Sequence, residues 1–408
     1  MRILFLTQYY PPEVGAPQNR LHELAVRMKR YGIDVEVLTA MPNYPSMEIH
    51  EAYRSGKIRE EVIDGIKVYR SKIFVSTSKN ILPRLLNYFS FVWTSYFRGR
   101  KLGRYDFLLV ESPPLFLGYS AMRLAKKMQA KLIFNVSDLW PESAEKMGVV
   151  NNQRLLKMAY RLEEKCYKRA ALVTGQTQGI VDNINKRFPE VRTYWLPNGV
   201  DLGFYDPEKT TSSGFRQRNG IAEEKLVLFY GGILGHAQGL SLVIEAASKV
   251  KNDQITIVLQ GSGPEKDELV ELNQRLGNKN VLFLPPVSKD KMPGILCEVD
   301  VALVPLRKLD IFMGAIPSKI FEALSMRKAL LLGVDGEART HFIERAEAGL
   351  FFEPENLNEL VAGMEFLSEN RLEMKEMGVK GRAYVQKVFN RDAIAQDFIS
   401  ELEKVAKY

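Results

Sequence analysis

Short apolar runs alternate with helical stretches along this chain, and the pattern occurs twice. That rhythm restricts the fold more than any single motif does. Residues 3–7 and 35–39 flank a helical stretch at 18–31 that stops at Gly32. Residues 107–111, 131–136 and 172–174 continue the series, with helical patterns between them. Such runs read as buried strands, and their alternation with helices predicts a parallel sheet covered on both faces. One stretch departs from the rhythm: Asp64-Gly65, set between β-forming residues at 61–70, signals a hairpin. Turn formers then gather in Leu196-Pro-Asn-Gly-Val-Asp201 and Phe204-Tyr-Asp-Pro207, which read as a link between domains. Beyond the link a second set of strand candidates begins, at 226–230, 256–260, 281–284, 299–304, 329–332 and 349–352. From about residue 357 to the end the periodicity is helical. The expected architecture is α/β, with two Rossmann-like domains at 1–198 and 199–389 and a ligand site in the cleft between them.

Length and composition agree with two ordinary soluble domains. A chain of 408 residues is long for one core. Its two cysteines, Cys166 and Cys297, lie far apart and match no metal-ligand spacing, which fits a reducing compartment. The apolar N-terminus is too short for a signal peptide and reads as a first strand, and no run approaches the roughly 18 apolar residues of a membrane span. Charge is the uneven property. Residues 1–198 hold 31 Lys and Arg against 18 Asp and Glu, while residues 199–408 hold 26 against 31. The first half therefore expects an anionic neighbour, such as a membrane surface or a phosphorylated acceptor. No recognised nucleic-acid-binding motif is present.

Glycine placement carries the chemical signal. Val227-Leu-Phe-Tyr-Gly-Gly-Ile-Leu-Gly-His-Ala-Gln-Gly239 puts four glycines in nine positions after a buried strand. That is costly unless the backbone must bend or turn its N–H groups toward an anion. The loop reads as a diphosphate cradle or as a tight turn, and His236 as a phosphate donor or a solvated side chain. Gln260-Gly-Ser-Gly-Pro264 repeats the pattern, with Pro264 opening a helix. The first strand runs into Gln8-Tyr-Tyr-Pro-Pro-Glu-Val-Gly15-Ala-Pro17, where Gly15 allows close ligand approach, although the three-glycine dinucleotide fingerprint is missing. In Pro317-Ser-Lys-Ile-Phe-Glu322-Ala, Lys319 and Glu322 share a helix face. They are either a surface ion pair or a phosphate contact beside a sugar contact. Asp138 ends a strand and either caps the next helix or orients an acceptor hydroxyl.

Taken in order, these motifs resemble the family-4 glycosyltransferases, retaining enzymes with the GT-B arrangement of two Rossmann-like domains. Leu196-Pro-Asn-Gly-Val-Asp201, Gly261-Ser-Gly-Pro264 and Phe352-Glu-Pro-Glu-Asn356 add to the set. Met41-Pro-Asn-Tyr-Pro-Ser46, Asp138-Leu-Trp-Pro-Glu142 and Gly235-His-Ala-Gln-Gly-Leu240 resemble the L-fucosamine transferase-like subgroup that builds O-antigen, capsule or colanic acid. The resemblance implies a UDP-sugar donor and a sugar on a polyprenyl diphosphate as acceptor. It also implies retention of anomeric configuration without a metal, in the cytoplasm at the inner face of the membrane. Glu322 would bind ribose. Gly15, Gly232, Gly235, His236, Gln238, Gly239 and Gly263 would line the donor, and residues 390–408 would cross back to complete the first domain.

The chain departs from this family at the donor. Where many relatives carry a second acid, eight positions before Glu322, Gly314 stands here, which leaves sugar recognition to backbone at 313–316. Where many carry Arg and Lys, Ile233 and Gln238 stand. A leaving diphosphate needs positive charge, so Lys319 is expected to be its main contact and, with Asp138, a catalytic group. The stretch 81–104 repeats Ile81, Leu85, Phe89, Trp93 and Phe97 every fourth residue, edged by Arg and Lys. It reads as a buried helix or as one lying on an anionic membrane. A UDP-sugar 2-epimerase or hydrolase, or a non-catalytic nucleotide-sugar-binding module, would use the same architecture.

Overall fold

A computed structural model describes residues 1–13, 15–44, 46–77, 81–146, 148, 150 and 152–407; the side chains of residues 16, 17, 81, 82 and 84 lie outside that description. The chain divides into two compact units, residues 1–198 with 391–408, and residues 199–390.

In the first unit the elements run β1 (Arg2–Leu6), α1 (Ala16–Arg30), β2 (Asp34–Ala40), β3 (Glu60–Ile63), β4 (Ile66–Ser71), α2 (Ile81–Gly99), β5 (Phe107–Ser112), α3 (Leu117–Met128), β6 (Lys131–Val136), β7 (Leu172–Gly175) and β8 (Thr193–Trp195). The sheet order is β3-β4-β2-β1-β5-β6-β7-β8. Only β3 is antiparallel, paired with β4 through the hairpin expected at Asp64-Gly65. Asp64 takes the left-handed φ of +48° that this tight connection asks of its first turn residue. Apolar residues on both faces of the parallel strands, such as Ile3, Leu4, Phe5 and Leu6, are fully buried, as a sheet covered on both sides requires. The helix Arg391–Lys407 belongs to this unit and buries Ala395, Phe398, Leu402 and Val405 against the β1 core. Lys131 donates to the carbonyls of Val405 and Ala406 (2.7 and 2.9 Å), placing a cation where the helix dipole favours one.

The second unit follows with β9 (Leu226–Ile233), β10 (Ile255–Ser262), β11 (Val281–Leu284), β12 (Val301–Pro305), β13 (Ala329–Gly333) and β14 (Gly349–Phe351), in the parallel order β11-β10-β9-β12-β13-β14. The chain leaves β9 toward β10 on one side and returns to β12 on the other, so the sheet's switch point lies between β9 and β12. In an open parallel sheet this is where a ligand finds a crevice at the strands' carboxyl ends. The strand β9 also runs further than its apolar residues predict. It continues through Gly231 and Gly232 to Ile233, in register with Gly261 and Ser262 of β10.

One sequence expectation changes and one left open is decided. The helix expected over 81–104 stops at Gly99, and its apolar stripe faces out: Leu86, Phe89, Trp93 and Phe97 are 37–64% exposed. Asn87, Phe91 and Ser95, one turn apart along the opposite face, are buried instead, and Ser95 Oγ meets Ser120 Oγ of α3 at 3.0 Å. Periodicity locates an apolar stripe but leaves open which way it faces when the polar residues opposite it are small and find partners.

Glu298 ties the second unit's start to its sheet. Its carboxylate accepts from the backbone N–H groups of Phe215 and Arg216 (2.8 and 2.9 Å) and from Ser213 Oγ. Burial alone would raise its pKa, but these donors outweigh burial and hold it near 2. A depressed carboxylate stabilises the fold above its unfolded pKa and loses that contribution as pH falls from about 4.5 through about 2. Glu298→Gln should therefore flatten the acid limb of a denaturation profile over that window. At neutral pH it should cost about 1.5–3 kcal/mol by urea unfolding.

Candidate active site

Lys319 sits in the first turn of the helix Ser318–Ser325, which opens after the β12 loop at the switch point. Its Nζ stands 3.6 Å from the centroid of the Tyr230 ring, so the ammonium lies on an aromatic face. Tyr230 is fully buried on β9 and its hydroxyl donates to the Ile233 carbonyl at 2.6 Å. Gly232, at φ +149°, follows on the same strand, and a Cβ there would lie 3.1 Å from Lys319 Nζ. Gly261 of β10 packs tighter still, since a Cβ would fall 1.8 Å from the Gly232 carbonyl oxygen. The glycines therefore bring bare backbone and the lysine together.

This placement alters the lysine's charge. Burial drives the pKa of Lys319 down to about 7, against a smaller upward pull from Glu322 one turn along the helix. Near neutrality the amine is thus poised between charged and neutral forms. An arriving anion would restore its charge. Glu322 is half-buried on the same helix.

The glycine loop beyond β9 holds the remaining candidates. Gly235 precedes the short turn His236–Gln238, and Gly239 follows it in the left-handed conformation before the helix Leu240–Ala247. His236 is exposed, and its Nδ1 lies 2.8 Å from Glu265 Oε1. A residue outside the sequence expectations joins it. Arg307, two residues past β12, donates its N–H to the Ala237 carbonyl at 3.0 Å and sets its guanidinium against His236 Nε2. The signal available for it was position alone, a cation just past the carboxyl end of a buried strand. Arg307 brings positive charge to a loop that Ile233 and Gln238 leave without any. Gly314 is exposed in the β12 loop, and the neighbouring Met313 carbonyl accepts from the Glu337 N–H at 2.8 Å. Gly263 follows β10, beside the Leu234 backbone. A cavity of about 430 Å³ borders the same loop, lined by His236, Gly239, Arg275 and Arg307 together with Glu245, Glu265, Glu268 and Glu355, whereas Lys319 and Glu322 do not line it. Its carboxylates outnumber its arginines, so the candidate centre is the lysine, with Arg307 and His236 at the cavity's border.

The other two site residues belong to the first unit. Gly15 lies just before α1, and the Gln18 side-chain oxygen fills the space where its Cβ would stand. Asp138 is exposed after β6, and its carboxylate accepts from Ser143 Oγ at 2.6 Å. Beside it runs a buried polar row along the ends of β5, β6 and β7. Arg20 donates to both Glu111 oxygens (2.9 and 3.1 Å), Asn135 also donates to Glu111, and Thr174 donates to Asn135 Oδ1 at 2.6 Å.

Comparison with known proteins identifies the family and the fold. Residues 15–199 match the model of the glycosyl transferase 4-like domain, and residues 212–384 match that of glycosyl transferases group 1. WcaI of Escherichia coli strain K12, a protein named as a colanic acid biosynthesis glycosyl transferase, is 24% identical, covering 98% of this chain and all of that one. The O-antigen chain mannosyltransferase C of Escherichia coli is 20% identical, over 98% and 97% of the two chains. Among solved structures, Anabaena HepE in complex with UDP and glucose superposes with a TM-score of 0.71 at 19% identity, covering 99% and 100% of the two chains. The chain belongs to the family-4 glycosyltransferases and has their GT-B fold.

Proposed function

We propose that this glycosyltransferase moves a sugar, an N-acetylated hexosamine, from UDP to a lipid-linked saccharide of a surface polysaccharide, with retention at the anomeric carbon. The observation that carries the reading is Lys319, an amine set on the Tyr230 ring against bare glycine backbone at the switch point of the second unit. HepE, of the same fold, is a UDP and glucose complex, and the curated relatives are named for colanic acid and O-antigen.

In this reading Lys319 meets the diphosphate and Arg307 adds charge at the glycine loop. Glu322 accepts hydrogen bonds from the ribose. As the bond from the anomeric carbon to the phosphate oxygen breaks, its electron pair leaves with UDP. The acceptor hydroxyl closes a new bond on the same face and its proton passes to the departing phosphate. The protein contributes orientation and charge, with Asp138 of the first unit orienting the acceptor hydroxyl and no metal taking part. The alternatives on this architecture, an epimerase or hydrolase and a binding module, differ in turnover: the first acts without an acceptor and the second never acts.

The first unit adds a reason to place the enzyme at a membrane. It holds 34 Lys and Arg against 22 Asp and Glu, a net of +12. Its α2 turns Leu86, Phe89, Trp93 and Phe97 to solvent, with the Arg100 guanidinium 5.4 Å from the Phe97 ring centre. An apolar cavity of about 250 Å³, edged by Arg123, opens beside Trp93. Aromatic side chains ringed by cations suit the boundary between anionic headgroups and acyl chains. Among the described residues no helix is long and apolar enough to cross a membrane, so the proposed association is peripheral, at the inner, cytoplasmic face.

Four outcomes test this reading. Glu322→Gln should weaken UDP binding about 10–100-fold by calorimetry, the equivalent of losing a charge-assisted hydrogen bond; unchanged affinity would remove Glu322 from the ribose site. UDP binding should take up protons above pH 7 and weaken as pH rises, because the diphosphate must recharge Lys319. Lys319→Met should abolish both effects and lower kcat more than donor affinity. Finally, Trp93→Ser with Phe97→Ser should release the protein from vesicles containing anionic lipid in a flotation assay, while turnover on a soluble acceptor stays as it was.

A further inference from the structure

The helices α2 and α3 contain no Asp or Glu, while Arg84, Arg98, Arg123, Lys126 and Lys127 give them five positive charges. Between them opens a slot of about 250 Å³, lined by Phe89, Val92, Trp93 and Tyr96 from α2 and by Tyr119, Ser120 and Arg123 from α3. Its serine floor needs nothing from a ligand. Ser95 Oγ donates to the Val92 carbonyl at 3.1 Å, so it accepts from Ser120 Oγ at 3.0 Å. Phe89 and Trp93, by contrast, are 37% and 64% exposed. Aromatic surface left in water beside a satisfied floor marks a place where an apolar ligand is buried.

Size and charge narrow the choice of ligand. Pockets that enclose a drug-sized molecule hold about 300–1,000 Å³, so this slot admits a stretch of one hydrocarbon chain and leaves the rest of the ligand outside. The polar edge selects what that chain carries. Arg123 is exposed in the second turn of α3, donates to the Tyr119 carbonyl at 3.3 Å, and has no carboxylate partner among the described residues. A guanidinium beside an apolar slot suits a phosphate joined to the chain, because its fork of donors matches phosphate oxygens. The rings of Phe89, Trp93, Tyr96 and Tyr119 then favour an isoprenoid over a straight acyl chain. Planar double bonds lie flat on ring faces, and being fixed they lose less conformational entropy on binding than freely rotating methylenes.

We propose that the slot between α2 and α3 binds the polyisoprenyl chain of the lipid-linked acceptor beside its phosphate, with Arg123 pairing that phosphate. The inference rests on the sugar-transfer reading above and goes beyond adsorption of α2 on a membrane. The exposed stripe attaches the protein to a surface, whereas the slot selects one lipid molecule from it. Ring contacts also run from the slot to the loop that carries Asp138. Phe116, just before α3, meets Phe89 with ring centroids 4.8 Å apart and meets Trp140 at 5.5 Å. Trp140 in turn donates its backbone N–H to the Asp138 carbonyl at 2.9 Å. A carrier seated in the slot is therefore packed against the same aromatic row as the residue assigned to the acceptor hydroxyl.

Titration calorimetry of the intact protein with farnesyl phosphate, kept below the concentration at which it aggregates, tests the assignment. The wild-type protein should bind a single farnesyl phosphate per chain, saturably. Farnesol and decyl phosphate should each bind about tenfold more weakly or worse, and inorganic phosphate should not bind, since chain and anion are read together. Arg123→Gln should weaken farnesyl phosphate about tenfold or more, the equivalent of a lost charge-assisted hydrogen bond, and leave farnesol as it was. Ser120→Leu, which puts a side chain into the slot, should weaken both. The proposal is overturned if farnesyl phosphate does not bind or never saturates, if farnesol or decyl phosphate binds as tightly, or if Arg123→Gln leaves its affinity unchanged. Arg123 lies on the surface, so its variant decides the matter where Ser120→Leu fails to fold. A wild-type protein that binds farnesyl phosphate but not UDP would keep the slot and sink the transferase reading, so the two failures are distinguishable.

Discussion

The approach of β9 to β10 at Gly232 and Gly261 is the contact on which the second unit's site depends. The two strands stay in register to Gly232–Gly261 and Ile233–Ser262, past the point where their apolar residues end. That is possible because no side chain separates them: a Cβ on residue 261 would meet the Gly232 oxygen at 1.8 Å. The extra residues carry the backbone of β9 out under Lys319, and Tyr230 on that strand gives the amine its aromatic floor. Larger residues at 232 or 261 would part the strands and leave the lysine over open space. The glycines serve ligand chemistry indirectly, by determining how far a strand extends.

The first unit uses its switch point differently. There the order β2-β1-β5 places the Tyr-Pro-Pro-Glu loop at the break, and the conspicuous acid of that loop is internal. Glu13 is 2% exposed and spends its oxygens on three backbone N–H groups, while Arg70, fully buried, donates to the Pro11 carbonyl and pairs with Glu61 at 2.6 Å. A charge buried with several donors is costly to form but expensive to disturb. The motif therefore works as scaffold, holding the loops after β1 and β2 in one arrangement.

Much of this was readable in the sequence, and what was not has common physical causes. Strand positions followed from short apolar runs, and the hairpin from Asp64-Gly65, because both are local. The fold class followed from their order. Arg307 was not legible: its meaning comes from lying beside His236, 71 positions away, and nothing in Leu306-Arg307-Lys308 marks it apart from any exposed basic pair. The direction of the α2 stripe was left open between core and surface. A stripe of Leu, Phe and Trp at helical spacing normally points to the core, and only the pairing of Asn87 with Gln8, and of Ser95 with Ser120, shows that the small polar face took that place.

The burial of Lys319 has one electrostatic consequence. Glu322 recovers only part of what burial removes, so the amine settles at about 7. A lysine already neutralised by carboxylates gains little from an added anion, because its charge is spent before the ligand arrives. One left half-neutral gains a full interaction when a dianion raises its pKa, and returns to the neutral form when that dianion leaves. In the proposed reaction the strongest contact thus forms with the species carrying most negative charge, the departing diphosphate, and not with the sugar.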